Sequence, residues 1–392
     1  MDLAERIARR RTAQPHSGFV LDREVLSPTV HRSEPVGRGS TLEALLDAVE
    51  PAFSNSLPEP FAVVGPAGSG TSAVITALFA ALTAELGDST RAIGTTTRAG
   101  SDRRAIRFVY VDARRTTSAF AFYRAVLSSL STDSVPTSGV GTDDLHDRLA
   151  ARLARPDRRA VIAVDHHDEP ETIDVARVRE LLEAVDESTT VIPIGRRAPT
   201  GWDGSVVEVP AYRQHELVDV VTERTAVGLA AGTLDHQAVR SLAEWADGNA
   251  HDALAAVFGA AYLATEAGAE TIDDRHLEAA KADVPGGGVH VDRALALPES
   301  RQRVLVALIQ VCDDETDRRS IRTLSDDIAR SSSLTSGTVK RFLYELADRG
   351  LLERVSINEA VGSEGGSGGR RPSTLEPRFP TIAFQALTTA QE

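Results

Sequence analysis

Gly65-Pro66-Ala67-Gly68-Ser69-Gly70-Thr71-Ser72 is the stretch whose residue types and spacing could do chemistry. The apolar run Phe61-Ala62-Val63-Val64 leads into it, and a helical run from Ala73 to Leu82 leads out. A strand, a glycine-rich turn and a helix, in that order, build a phosphate cradle. Small residues let backbone N–H groups approach the phosphates, and the helix N-terminus adds positive dipole. The nucleotide pattern G-x-x-x-x-G-K-[ST] is met at Gly65, Gly70 and Ser72, but Thr71 stands where the lysine belongs. The missing cation is the one that reaches the β- and γ-phosphates. The stretch therefore reads either as a weakened seat for ATP or ADP or as a relic that closes a strand-to-helix turn.

A second group follows another apolar run, Ala160 to Val164: Asp165-His166-His167-Asp168. In a phosphoryl-transfer site this position holds an aspartate for Mg²⁺ and then a glutamate that polarises the attacking water. Asp165 and the Ser72 hydroxyl are the candidate Mg²⁺ ligands. His166 replaces the glutamate. A neutral imidazole can act as a base, but no catalytic residue is assigned on that ground. Zinc is not expected, because adjacent strand residues point to opposite faces and no other His or Cys has ligand spacing.

A third group lies on a helix expected over 336–349. Val339, Phe342, Leu343 and Leu346 form its apolar side; Ser336, Thr338, Lys340, Arg341 and Tyr344 lie opposite. First-turn residues of such a helix can meet base edges while Lys and Arg meet phosphates. Arg370 and Arg371, on a Gly/Ser-rich tip over 361–371, would reach the minor groove or the backbone. The alternative is a module kept for protein contacts.

These groups need elements to hold them. Strands are expected at 61–64, 106–112, 160–165, 190–195 and 206–210, with helices between them, which implies a doubly wound parallel α/β layer. Helices are expected at 214–231, 235–246, 249–266 and 273–282. Pro285-Gly286-Gly287-Gly288 reads as a linker. Beyond it, helices at 298–311, 323–331 and 336–349 precede a hairpin, the order of a winged helix-turn-helix. The reading is multidomain α/β plus α, with 1–35 irregular, 36–210 α/β, 211–284 a helical lid, 285–297 a linker and 298–392 the winged helix. Arg6, Arg9, Arg10 and Arg11 make the start of the chain either a solvated tail or a phosphate-contacting arm.

Composition narrows the partners. The 392 residues carry 43 basic and 57 acidic groups, a net charge of −14. Only Lys281 and Lys340 are lysines; the other basic residues are arginine. An acidic, lysine-poor chain suits a salt-rich cytoplasm, and its charge opposes nucleic acid overall. Residues 295–392, with 13 basic and 14 acidic groups, are the least repulsive to DNA. No apolar run approaches the ~20 residues of a membrane span, so no membrane partner is expected. One cysteine, Cys312, allows no internal disulfide and fits a cytoplasmic protein.

The order of elements and many residues resemble the archaeal origin-recognition and replication-initiator AAA+ family. Leu21-Asp22-Arg23-Glu24-Val25-Leu26-Ser27-Pro28 and Val36-Gly37-Arg38 resemble the family's N-terminal segment, which packs over the adenine. Val109 to Thr117 resembles its second strand and the helix start after it. Pro210-Ala211-Tyr212 with Glu216-Leu217 resembles the start of its lid, and Asp247 to Leu254 its sensor-2 stretch. The resemblance implies nucleotide contacts from Arg38, residues 65–72, Asp165 and His251. It also implies double-stranded DNA as a partner, with an active initiator paralogue as a further candidate. The departures are Thr71 for lysine, His166 for glutamate, His251 for arginine and Gly195-Arg196-Arg197 where a sensor asparagine is usual. Segment 198–205 is too short for the family's arginine-bearing helix; Arg196 or Arg197 is either its replacement or a loop surface. Losing one charge-stabilising group can cost ~10²–10³ in rate, so the expected protein is a DNA-binding initiator with little or no ATP hydrolysis. The rivals are an ATPase rebuilt around Thr71, His166 and His251, and a partner subunit of an active paralogue.

Overall fold

The computed structural model describes residues 18–92, 105–131, 134–155, 158–312, 319–356 and 373–389. Arg6 to Arg11 and the tip bearing Arg370 and Arg371 lie outside them. In chain order the helices are α1 (Arg23–Leu26), α2 (Gly39–Val49), α3 (Thr71–Ala92), α4 (Ala119–Leu130), α5 (Thr142–Leu153), α6 (Val175–Leu182), α7 (Gln214–Gly228), α8 (His236–Trp245), α9 (Ala250–Glu266), α10 (Asp274–Asp283), α11 (Val291–Leu295), α12 (Glu299–Cys312), α13 (Ile321–Ser331), α14 (Ser336–Asp348) and α15 (Thr381–Thr389). The strands are β1 (Phe61–Val64), β2 (Ala105–Asp112), β3 (Arg158–Asp165), β4 (Thr189–Gly195), β5 (Ser205–Glu208), β6 (Leu352–Ser356) and β7 (Ser373–Pro377). No described helix is long and apolar enough to cross a membrane.

The chain divides into two compact units: 31–212 with 292–378, and 1–30 with 213–291 and 379–392. The larger unit is built on a five-stranded parallel sheet of order β2-β3-β4-β1-β5. The continuous apolar run of β3 is explained by burial on both faces. Val161 and Ala163 join Val63, Ile75, Leu78 and Ile194 on one side; Ala160, Ile162 and Val164 join Phe122, Val126, Leu145 and Val178 on the other. Register aligns Asp112 with Asp165, Asp165 with Ile194, and Val64 with Gly195. The candidate residues after β1, β3 and β4 therefore share the carboxyl edge of the sheet. The order reverses at β1, and that is where open α/β sheets place ligands. The same unit holds α12, α13 and α14 with the antiparallel pair β6–β7.

In the smaller unit, residues 18–30 are not the irregular lead expected. Leu21 and Asp22 N–H groups both donate to Gly228 O, Ala230 N–H donates to Phe19 O, and Asp22 caps α1. The buried Arg224 donates to the carbonyls of Val25 at 2.7 Å and Val30 at 2.5 Å. A Cβ on Gly228 would lie 2.4 Å from Leu26 Cγ, so only glycine permits this approach. Two further elements were not foreseen. α11 occupies the expected linker. α15, expected inside the C-terminal module, packs in the smaller unit, where Asp283 accepts from Ile382 N–H at 2.8 Å and from the Thr381 hydroxyl. That carboxylate satisfies donors at the α15 N-terminus, a partnership across about a hundred residues of chain.

Candidate functional site

The turn between β1 and α3 has the expected form. Gly68 (φ +70°) and Gly70 (φ +83°) are left-handed, a conformation glycine adopts without steric cost. A Cβ on Gly65 would come within 2.5 Å of Ser69 Oγ and Val209 O. Ser69 is fully buried and its hydroxyl has no hydrogen-bond partner. An orphaned buried hydroxyl in a loop of left-handed glycines fits a phosphate, which would supply the acceptor. Thr71 supplies no charge, and its Cγ2 leans to 3.0 Å from the Gly65 Cβ position.

Arg38 ends the loop before α2. It is 2 % exposed, and its Nε and Nη2 have no hydrogen-bond partner. Its guanidinium lies 3.4 Å from the centre of the Tyr212 ring. The Tyr212 hydroxyl in turn sits 3.0 Å from the Cβ position of Gly70. Stacking on an aromatic face recovers about 0.5–2 kcal/mol, less than the several kcal/mol that burial of an ion costs.

The carboxyl end of β3 is a set of engaged charges. Asp165 is 1 % exposed. Its Oδ2 accepts from the Tyr110 hydroxyl at 2.6 Å and its Oδ1 from His166 N–H at 2.8 Å. With both oxygens engaged and buried, Asp165 does not fit Mg²⁺ as arranged. Burial first, and then Asp165, push the Tyr110 phenol well above its usual pKa. His166 has φ +61°, a strained conformation for a side chain with a Cβ. Its Nδ1 lies 3.1 Å from Glu169 Oε1, and its Nε2 3.5 Å from Asp165 Oδ2. Burial lowers the His166 pKa, but Asp165 and Glu169 outweigh it and lift it to about 9. Burial raises Glu169, yet His166, Arg114 and Arg293 bring it below the usual carboxylate value. At neutral pH His166 is therefore an imidazolium and holds the very proton that a base would have to accept.

The charges continue from there. Arg293 Nε pairs with Glu169 Oε2 at 3.2 Å, and Arg114 bridges Asp112 and Asp292, each at 2.9 Å. Arg349 Nε pairs with Glu171 Oε2 at 2.7 Å. Tyr110, Arg114, Glu169, Arg293 and Tyr212 were missed by sequence reasoning. Their partners lie up to about 180 positions away, so no local spacing marks them. Gly195 leaves no room for a side chain: a Cβ there would meet Asp168 Oδ1 at 2.5 Å, and Arg196 N–H donates to Asp168 Oδ2 at 3.0 Å. Arg196 and Arg197 are exposed.

On α14, Val339, Phe342, Leu343 and Leu346 are buried as the pattern requires. Thr335 caps the helix through Thr338 N–H, and Ser336 donates to Asp326. Lys340 and Arg341 are exposed, and Tyr344 is half-buried with Arg354 5.1 Å from its ring centre. Lys340, Arg341 and Tyr344 share a recess with Glu171 and Asp348.

His251, in the smaller unit, is 7 % exposed. Its Nδ1 is 3.3 Å from Asp252 Oδ1, its Nε2 accepts from Val291 N–H at 3.1 Å, and its ring stacks on His290 at 3.9 Å. Both ring nitrogens are engaged, Nδ1 by Asp252 on the same helix and Nε2 by the first residue of α11.

Comparison with known proteins supports the family resemblance read from the sequence. Residues 34–193 match the AAA ATPase domain family. ORC1-type DNA replication protein 6 of Halobacterium salinarum is 23 % identical over 301 residues, 72 % of this chain and 75 % of that protein. ORC1-type DNA replication protein 1 of Methanothermobacter thermautotrophicus is 24 % identical over 221 residues, 55 % of this chain and 52 % of that protein. The fold is similar to Aeropyrum pernix ORC1, solved in complex with DNA, with TM-score 0.61, 18 % identity and coverage of 95 % of this chain and 97 % of that one. It is also similar to a chain of Drosophila ORC bound to DNA, with TM-score 0.51, 16 % identity and coverage of 98 % and 100 %.

Proposed function

We propose that this chain, an AAA ATPase-domain protein similar to the ORC1-type replication proteins, is a DNA-binding, origin-recognition-type initiator that holds a nucleotide without hydrolysing it. One observation carries the second half. The imidazole in the water-activating position is buried between Glu169 Oε1 at 3.1 Å and Asp165 Oδ2 at 3.5 Å, and these two carboxylates favour its protonated form. A group already protonated cannot accept a proton from the attacking water. The aspartate before it has Oδ2 taken by the Tyr110 hydroxyl and Oδ1 by His166 N–H, and is not arranged to hold Mg²⁺. Against these losses, the glycine turn and the orphaned Ser69 hydroxyl keep the geometry of a phosphate seat. ATP or ADP would lie along residues 65–72 with its phosphates on the N-terminus of α3.

The first half rests on the C-terminal module. Three helices followed by an antiparallel ribbon support reading this module as a winged helix-turn-helix, with α14 as its reading helix. Ser336 and Thr338 stand in its first turn for base edges, and Lys340, Arg341 and Tyr344 follow for phosphates. Arg370 and Arg371, outside the described residues, are further candidates for phosphate contact by their charge.

The test is equilibrium binding of ADP and of duplex DNA to the full chain in molar KCl, together with ATP turnover. Binding of both, with turnover no greater than that of a protein lacking residues 65–72, is expected. Turnover above that control, lost in His166→Ala, would instead establish a rebuilt ATPase. DNA binding only in the presence of an initiator paralogue would make the chain a partner subunit.

A further inference from the structure

We propose that Arg38 supplies the positive charge for the nucleotide's phosphates that Thr71 cannot, an inference that rests on reading residues 65–72 as a retained nucleotide seat. Both lysines of the chain, Lys281 and Lys340, lie outside residues 31–212. A phosphate resting on the turn would otherwise meet only backbone dipoles and the uncharged hydroxyls of the turn's own residues. Arg38 is a buried guanidinium whose Nε and Nη2 have no acceptor. A buried, unpaired cation is disfavoured until an anion joins it.

Its position answers the need. The guanidinium is stacked on Tyr212 at 3.4 Å, and the hydroxyl of that ring lies 3.0 Å from where a Cβ on Gly70, the last residue of the phosphate turn, would stand. Stacking fixes the plane of the fork and leaves its edge for hydrogen bonding. Two parallel N–H groups on one edge match two phosphate oxygens, a geometry that lysine cannot offer. Ser69 Oγ, also buried and without an acceptor, adds a donor in the same turn. Arg38 lies at the head of α2, far in sequence from the glycine turn, and Tyr212 lies beyond β5; the fold alone unites them. The charge has moved from the turn to the loop before α2, and the seat prefers di- and triphosphates to the nucleoside.

Binding of ADP, ATP and adenosine to the full chain in molar KCl is measured by titration calorimetry for wild type, Arg38→Met and Arg38→Lys. Arg38→Met is expected to weaken ADP and ATP by about 10–100-fold, the usual range for one charged hydrogen-bonding group, and to leave adenosine within twofold. Arg38→Lys falls between. Equal loss for ADP and adenosine assigns Arg38 to the base and overturns the proposal. Unchanged ADP affinity in Arg38→Met overturns it while the nucleotide reading stands. No ADP binding by wild type ends the nucleotide reading itself.

Thr71→Lys tests the same idea without removing a buried group. A second cation beside Arg38 is expected to lower the melting temperature in the absence of ligand. Inorganic tripolyphosphate should then raise it by more than in wild type. An unchanged ligand-free melting temperature, with the same rise as wild type, counts against Arg38 being at the phosphates.

Discussion

His166 shows how one substitution changes the meaning of its neighbours. A glutamate there would need an open side and a water. The histidine is drawn into a left-handed turn and closed between Asp165 and Glu169. Its folded pKa, about 9, exceeds its ordinary 6.5. The stabilisation is therefore complete below pH 6.5 and is lost as pH rises through 9. His166→Gln should cost up to about 3 kcal/mol at pH 6 and flatten the fall in melting temperature between pH 7 and 9.5. Thermal unfolding of both proteins across that range decides the point. Wild type as flat as the variant would show that the pair contributes nothing.

At the scale of elements, two joints tie segments far apart in the chain. The first is the seam between residues 19–28 and the end of α7. Gly228→Ala would drive a methyl group into Leu26 and should destabilise by about 1–3 kcal/mol. The melting temperature should fall, and protease should cut first within residues 18–30; unchanged stability would mean that the seam yields. The second joint is Glu171 with Arg349 at the end of α14. The pair is partly exposed and so contributes under about 1 kcal/mol. Glu171→Gln removes an anion from the recess that holds Lys340 and Arg341, while Arg349 keeps its pair with Glu345. The slope of log K against log salt for duplex DNA should steepen by about 0.9. Lys340→Ala should make the slope shallower by a similar amount and weaken all duplex sequences alike. Identical slopes in wild type and both variants would remove α14 from the DNA interface.

The whole molecule carries a charge of −14 with arginine in place of nearly all lysine. Self-repulsion at this charge opposes the compact state and is screened by salt. Raising KCl from 0.1 to 2 M should raise the melting temperature by about 5 °C or more. A flat or falling dependence would disconnect the acidic composition from a salt-rich interior. The same screening weakens phosphate contacts, so DNA binding at molar salt would depend on base-edge contacts from the first turn of α14.

The chain alone determined the periodic parts. Alternating apolar strands and helices set the parallel layer, because runs buried on both faces need no partner to declare themselves. Gly65, Gly68 and Gly70 declared the tight turn between β1 and α3, because only glycine tolerates its dihedrals and close approaches. The losses at Thr71 and His166 were equally legible, since spacing names the missing groups. What stayed hidden was everything that depends on meeting across the chain. α15 has the composition of any short apolar helix, and only Asp283 and α9 assign it to the smaller unit. His251 occupies a sensor's place in the sequence, but its nitrogens are taken by Asp252 and Val291. Asp165 keeps the metal ligand's place with its oxygens already engaged. Arg38 stands far from the turn whose charge it would restore, and Tyr212 farther still. Local pattern fixes which backbone forms, because dihedral and burial preferences act over a few residues. The folded chain decides which charges face one another, because Coulomb and hydrogen-bond partners are chosen by distance in space.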